Sequence, residues 1–147
     1  GLMGIIADAT LAAGGEVIGV IPRHLLDREV AHNGLSALHV VGSMHERKAL
    51  MAELADVFIA APGGFGTLDE LCEILTWAQL GLHRKPCGLL NTAGYFDPLL
   101  AMFDHAVQEG FLSAAHRQLM PSEHDAQRLL DRLLSAVVSG ENSLHEA

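Results

Sequence analysis

The most informative stretch of this sequence covers residues 56–70, which read DVFIAAPGGFGTLDE. Its first six residues are almost entirely apolar, a pattern typical of a β-strand that is buried on both faces. Three glycines follow within four positions, and a helix-like segment then runs from Leu68 to Leu80, where Gly81 ends it. The stretch therefore predicts a buried strand, a glycine-rich turn over Pro62–Thr67 and a helix, in that order.

The flanking segments continue this alternation of strands and helices. Strands are predicted over residues 16–21, 35–41 and 86–91, and helices over residues 1–13, 43–54 and 97–110 and after the candidate N-caps Ser113 and Ser122. Ser43 and Glu46 have the spacing of a capping box at the start of their helix. The alternation predicts an α/β fold, a doubly wound, Rossmann-like parallel sheet with helices on both faces. In such sheets ligands bind beyond the carboxyl ends of the strands, where the glycine turn lies.

The composition fits one folded domain and argues against a polyanionic partner. Of the 147 residues, 50% are hydrophobic, which is enough for a core, and only 5% are aromatic. Because 18 Asp and Glu outnumber 9 Lys and Arg, nucleic acid and anionic membranes are not expected partners. No signal peptide and no apolar run of ~20 residues is visible, so we expect a cytoplasmic protein. Cys72 and Cys87 are then expected to be reduced thiols.

The glycine turn Pro62–Thr67 has the features of an anion cradle. Glycines let the backbone approach a ligand closely, and the N–H groups at the start of a helix favour a phosphate. The motif G-x-x-x-x-G-K-[ST] is absent, and G-x-G-x-x-G fails because Asp69 occupies the position of its third glycine. The turn therefore predicts binding of a phosphorylated nucleoside, although it matches neither of these two nucleotide-binding motifs.

Thr67 and Glu70 also allow a purely structural interpretation. The spacing Thr-x-x-Glu is that of a helix capping box, which requires no chemistry. A cap alone does not need Gly-Gly-x-Gly before it, whereas a phosphate cradle does, so the glycines favour the cradle.

A second polar group, MHERK at residues 44–48, begins a helix that also follows a strand. Arg47 and Lys48 bring two cations towards the edge of the sheet where ligands bind, although a solvated basic pair on a helix surface is the alternative. The zinc motif H-E-x-x-H is not formed, because Ala49 occupies the second histidine position. The other histidines lack ligand spacing, so no metal and no redox cofactor is expected.

Together the two motifs resemble those of the Lonely-guy (LOG) family of cytokinin-activating phosphoribohydrolases, which also carry the label possible lysine decarboxylase. The family's P-G-G-x-G-T-x-x-E corresponds to residues 62–70, and its M-H-x-R-K to residues 44–48. Further family-like stretches are residues 17–22, 75–81, 85–86 and 88–91, so the resemblance covers about residues 1–120. Family sequences have a further β-α-β segment before the position of Gly1, which we expect this chain to lack.

The resemblance implies hydrolysis of the N-glycosidic bond of N6-modified adenosine 5′-monophosphates, which releases a free base and ribose 5-phosphate. It implies Arg47 and Glu70 as the catalytic residues and a homodimer as the assembly. Residues 1–138 would form a single nucleotide-binding domain, incomplete at its amino terminus, and residues 139–147 a flexible tail. By position, the substrate-binding residues would be Glu29, Met44, Arg47, Lys48, Pro62, Gly63, Gly64, Phe65, Gly66, Thr67, Leu68, Asp69, Glu70 and Thr76.

Two alternative functions share these motifs. A nucleotide-binding or carrier module without catalysis would use the same glycine turn, but it would not need the pair Arg47 and Glu70. An amino-acid decarboxylase would normally need a pyridoxal cofactor on a lysine, and only Lys48 and Lys85 are available.

Overall fold

A computed structural model describes residues 1–26 and 34–140 of the chain. The chain divides into two compact units, Gly1–Leu54 and Ala55–Ala147. Glu29 lies outside the described residues, as do residues 141–147 of the predicted tail.

The first unit pairs two parallel strands and carries two helices within its described part. Its elements are α1 (Leu2–Ala12), β1 (Ile18–Pro22), β2 (Ala37–Val41) and α2 (Met44–Leu54). β1 and β2 pair in parallel, with Ile18 opposite Ala37. The capping box predicted for α2 is confirmed, although its second hydrogen bond reaches one residue further back than usual. The Ser43 hydroxyl accepts the Glu46 N–H at 3.1 Å, and the Glu46 carboxylate accepts the N–H of Gly42, one residue further back, at 2.7 Å.

The second unit is built on a three-stranded parallel sheet in the order β3-β4-β5. Its elements are β3 (Phe58–Ala60), α3 (Phe65–Gln79), β4 (Cys87–Leu90), α4 (Asp97–Gln108), α5 (Ala114–Arg117), β5 (Ser122–Glu123) and α6 (Ala126–Ser139). The parallel pairs β3–β4 and β4–β5 are each joined through helices, so the predicted α/β fold is confirmed.

Both faces of β4 are covered by helices, as the fold class predicts. On one face, Leu89 packs into a core with Leu71 of α3 and Phe96 at the start of α4. On the other face, a Cβ added to Gly88 would lie 2.7 Å from Leu129 Cδ1 of α6. Side chains alternate between faces along a strand, so the absence of a side chain at Gly88 lets α6 approach closely.

Three details of the predicted elements are wrong. α3 begins at Phe65, not Leu68, because Gly64 and Gly66 adopt no positive φ and the chain turns helical at once. Ser122 is not an N-cap: it lies in β5 opposite Leu89, and the Asp125 carboxylate caps α6 by accepting the Arg128 N–H at 2.9 Å. The apolar run at residues 56–61 is not buried on both faces. β3 is the edge strand of its sheet within the described residues, and Ile59 is 41% exposed.

Candidate functional site

The glycine turn lies at the carboxyl end of β3 and passes directly into α3. Gly64 is the N-cap, and the first backbone hydrogen bond of the helix runs from the Leu68 N–H to the Gly64 carbonyl at 3.1 Å. The N–H groups of Phe65, Gly66 and Thr67 therefore have no partner inside the helix. They lie at the positive end of the dipole of a 15-residue helix, so this end of α3 favours an anion.

Thr67 does not cap this helix. It lies inside the first turn, and no side chain forms a capping hydrogen bond at the Gly64 N-cap. The capping-box interpretation of Thr67 and Glu70 is therefore wrong. Instead, the Thr67 side chain lies against Gly63, in the space that a Cβ there would need. Packing inside the turn is thus sufficient to explain the glycine at position 63.

Gly66 has no such structural explanation among the residues that the structure describes, whereas Gly64 is the N-cap of α3, a position where glycine is favoured over alanine. A Cβ at either position would meet nothing within 4 Å, and neither residue has a positive φ. Glycine is also a poor helix residue, by roughly 1 kcal/mol relative to alanine inside a helix. Close approach of a ligand to the backbone does call for residues without side chains.

Tyr95 contacts this turn, although the sequence motifs do not include it. Its hydroxyl donates a 2.7 Å hydrogen bond to the carbonyl of Gly63, which is 32 residues away in sequence. Tyr95 follows β4 after a single 3-10 turn, Thr92–Gly94. A polar aromatic residue shortly after a strand end was the available signal, since loops at that edge carry function in α/β folds.

Four of the other predicted site residues of α3 lie in its first two turns, and one lies further along the helix. Leu68, Asp69 and Glu70 belong to its first two turns, with Leu68 and Glu70 half-buried and Asp69 exposed. Phe65 begins the helix and is 94% exposed. Thr76 lies nine residues beyond Thr67, or about 14 Å along the axis at 1.5 Å per residue. Its hydroxyl donates to the Cys72 carbonyl at 2.7 Å, so Thr76 is not part of the turn.

Met44, Arg47 and Lys48 lie in the first turns of α2, and all three are half-buried. Arg47 is tied to the neighbouring strand, because its Nε donates a 3.2 Å hydrogen bond to the Val20 carbonyl of β1. This bond fixes one edge of the guanidinium group, which presents five donors in a rigid fork.

Both cysteines lie in the second unit, and burial raises the pKa values of their thiols. Burial raises the pKa of the Cys87 thiol to about 12, and it raises the pKa of Cys72, with a smaller contribution from the charge of Asp69. Both cysteines are free, as predicted. Over residues 1–26 and 34–140, no cluster of three or more His, Cys, Asp or Glu side chains is placed to hold a metal ion. In the same ranges, no helix combines the length and apolar character that crossing a membrane requires.

The family model described as possible lysine decarboxylase matches residues 3–133. The chain belongs to this family. A Rhodococcoides fascians protein named cytokinin riboside 5′-monophosphate phosphoribohydrolase is 58% identical over 118 residues, which cover 80% of this chain and 60% of the relative. A protein of Oryza sativa subsp. japonica named probable cytokinin riboside 5′-monophosphate phosphoribohydrolase is 53% identical over 133 residues, which cover 90% of this chain and 59% of the relative.

An Arabidopsis thaliana protein with the phosphoribohydrolase name is 50% identical over 133 residues, which cover 90% of this chain and 62% of the relative. These likenesses confirm the resemblance to the LOG family that the motifs at residues 44–48 and 62–70 indicated. The chain spans about 60% of the length of these three curated relatives.

Proposed function

We propose that this protein hydrolyses the N-glycosidic bond of N6-modified adenosine 5′-monophosphates to a free base and ribose 5-phosphate. The observation that carries the proposal is the start of α3, where glycines at positions 64 and 66 border three N–H groups without helical partners. The names of relatives with 50–58% identity support the same reaction.

In this proposal the 5′-phosphate binds the N–H groups of Phe65, Gly66 and Thr67 and serves as a handle for the rest of the nucleotide. Glu70 lies one helical turn beyond Thr67, on the same side of α3. Holding the phosphate therefore keeps the ribose within a limited distance of this carboxylate, which lowers the entropic part of the barrier.

The reaction itself calls for a carboxylate. Breaking a ribosyl C–N bond builds positive charge on the sugar, and a neighbouring carboxylate stabilises that charge and activates the attacking water. We assign this role to Glu70. Arg47 would be the second catalytic residue by the family resemblance, and its hydrogen bond to the Val20 carbonyl supports a guanidinium group that is held in place within its own unit.

The remaining contacts of the nucleotide follow from the family resemblance. Glu29, Met44, Lys48 and Thr76 would contact parts of the substrate other than the phosphate at α3. The resemblance also supports a cytoplasmic homodimer, and light scattering of the purified protein would measure the subunit number. A net charge of −9 is consistent with a small anion bound by local backbone donors rather than by the overall field.

The test is incubation of the protein with N6-isopentenyladenosine 5′-monophosphate and with adenosine 5′-monophosphate, followed by chromatography of the free base and of ribose 5-phosphate. We expect both products in equal amounts. Glu70→Gln should keep nucleotide binding and reduce turnover by about 100-fold or more, the usual contribution of a general acid or base. Glu73→Gln, the same change one turn further along α3, is the matched control and should leave turnover close to that of the wild type.

Three outcomes would contradict the proposal in different ways. Nucleotide binding without any base release would assign the protein to the carrier alternative. Base release that Glu70→Gln leaves unchanged would remove Glu70 from the mechanism but keep the reaction. Release of cadaverine from lysine, together with the absorbance band of a pyridoxal cofactor, would favour the decarboxylase instead.

A further inference from the structure

The hydrogen bond between Tyr95 and Gly63 ties two segments that both follow strand ends. Tyr95 is 52% exposed, yet its hydroxyl lies 2.7 Å from the Gly63 carbonyl oxygen. Its ring meets Phe96 edge-on, with ring centroids 5.1 Å apart, and Phe96 is 2% exposed in the core of the second unit. The base of the Tyr95 side chain is therefore anchored, while its hydroxyl reaches the turn.

The loop that presents Tyr95 is itself held by Asn91, a buried polar residue with 3% exposure. The Asn91 side-chain oxygen accepts the Phe96 N–H at 2.7 Å, and its amide group donates to the Asp97 carboxylate at 2.8 Å. Its backbone carbonyl accepts the Gly94 N–H at 3.1 Å. Ala93 and Gly94 both have positive φ, 54° and 72°, so the loop follows one specific path. Tyr95 therefore acts from a rigid support.

The planar peptide between Gly63 and Gly64 links the Tyr95 hydrogen bond to the direction of an N–H group in the turn. The Gly63 carbonyl and the Gly64 N–H belong to the same trans peptide group, so they point in opposite directions. Fixing the carbonyl on Tyr95 thereby fixes the direction of the Gly64 N–H. Two consecutive glycines would otherwise leave this peptide the freest in the turn, because glycine restricts its torsion angles least.

We propose that Tyr95 is a positioning residue for the phosphate cradle: its hydroxyl orients the Gly63–Gly64 peptide so that the Gly64 N–H joins the N–H groups of Phe65, Gly66 and Thr67 in binding one anion. The role rests on the proposed nucleotide function and adds to it a residue outside both sequence motifs. Tyr95 acts through the backbone of Gly63 and contacts no reacting atom.

The test compares Tyr95→Phe, which removes only the hydroxyl, with Ser135→Ala. Ser135 also donates its hydroxyl to a backbone carbonyl, that of Asp131 at 2.7 Å, but it lies on α6 away from the turn. We expect Tyr95→Phe to raise KM for the nucleotide by about 3- to 10-fold, the effect of one neutral hydrogen bond, with kcat within about twofold. Ser135→Ala should leave both constants unchanged.

A second readout does not depend on hydrolysis. Amide NMR of the protein titrated with inorganic phosphate should shift the signals of residues 64–67, with a dissociation constant that Tyr95→Phe raises by a similar factor. If wild-type protein binds phosphate there and Tyr95→Phe does not weaken it, the positioning role is wrong, whether or not the protein hydrolyses nucleotides. If the role holds but no base is released, only the proposed function fails. A fall in kcat and thermal stability at constant KM would mean that Tyr95 serves the fold alone, and it would overturn the proposal.

Discussion

The side chain of Thr67 lies against Gly63 in the space that any larger residue at position 63 would need. Gly63→Ala should therefore lower the free energy of unfolding by ~1–3 kcal/mol, the usual cost of overpacking, as urea titration would measure. Adding Thr67→Ala should recover only part of the loss, because the Cβ of residue 67 would remain 2.9 Å from the new methyl group. Full stability of the single variant would show that Thr67 can move aside.

The other two glycines of the turn meet open space and should respond according to their helix positions. Gly66→Ala lies inside the first turn of α3, so the free energy of unfolding should stay the same or rise by up to ~1 kcal/mol. Gly64→Ala replaces the N-cap glycine, so it should lower the free energy of unfolding by ~0.5–1 kcal/mol. Binding of adenosine 5′-monophosphate should weaken by about tenfold or more, because the new methyl group intrudes where the phosphate would approach. Calorimetric titration measures this loss. Unchanged affinity in both variants would show that these glycines do not border the ligand.

Variants of Arg47 separate the contribution of its guanidinium geometry from that of its positive charge. Arg47→Ala removes the hydrogen bond to the Val20 carbonyl as well as the charge, so we expect it to reduce kcat/KM by far more than Lys85→Ala. Arg47→Lys should recover little activity, because an ammonium group cannot reproduce the fork of donors. Steady-state kinetics on samples of matched thermal stability separates the two effects. Equal losses for Arg47→Ala and Lys85→Ala would favour a merely electrostatic role for the arginine.

The strand, turn and helix at residues 56–80 could be predicted because each has a local signal. Apolar runs, glycine clusters and capping residues act over a few positions, and Ser43 and Ser113 accept N–H groups three residues on, as predicted. The predicted start of α3 was wrong because the sequence does not distinguish a glycine with a negative φ from one whose positive φ turns the chain. Gly64 and Gly66 have no positive φ, so the helix begins earlier than predicted. Ser122 is of a residue type that often caps helices, but its pairing with Leu89 places it in β5, and Asp125 caps α6 instead.

The candidate site likewise has one part with a local sequence signal and one part without such a signal. The glycine motif predicted unpaired N–H groups at the start of a helix after this strand, but it placed that start at Leu68, so the structure and not the motif identifies the groups of Phe65–Thr67. The hydrogen bond from Tyr95 to Gly63 depends on how β4 aligns with β3, and no pattern within either segment carries that register. The exposure of Ile59 likewise depends on strand order, since an edge strand and a central strand have similar apolar sequences.

Asn91 should be one of the most sensitive polar residues of the second unit. Asn91→Ala leaves the buried Phe96 N–H without its acceptor, so we expect a loss of about 2 kcal/mol or more in the free energy of unfolding. The matched control is Gln127→Ala, which removes an exposed amide that donates to Asp131 at 2.9 Å and should cost less than ~0.5 kcal/mol. Urea titration of both variants measures the difference, and equal costs would show that water replaces the missing partner.

Cys87 makes the stability of the second unit depend on pH at the alkaline end. Burial raises the pKa of this thiol to about 12, from 9.0 for an exposed cysteine, so the folded state holds the proton more tightly than the unfolded state. The contribution is therefore fully present below pH 9 and is lost between pH 9 and about 12, at ~1.4 kcal/mol per pH unit.

Between pH 8 and 10.5 the wild type should accordingly lose about 2 kcal/mol more than Cys87→Ala, whose side chain does not titrate. Urea titrations at half-unit steps measure the two curves, and all other titrating groups cancel in the difference. Cys72→Ala is the control, since Cys72 is exposed and should give a much smaller divergence from the wild type. Parallel curves for the wild type and Cys87→Ala would mean that the thiol ionises in the folded state without penalty, and that water reaches Cys87 in the core.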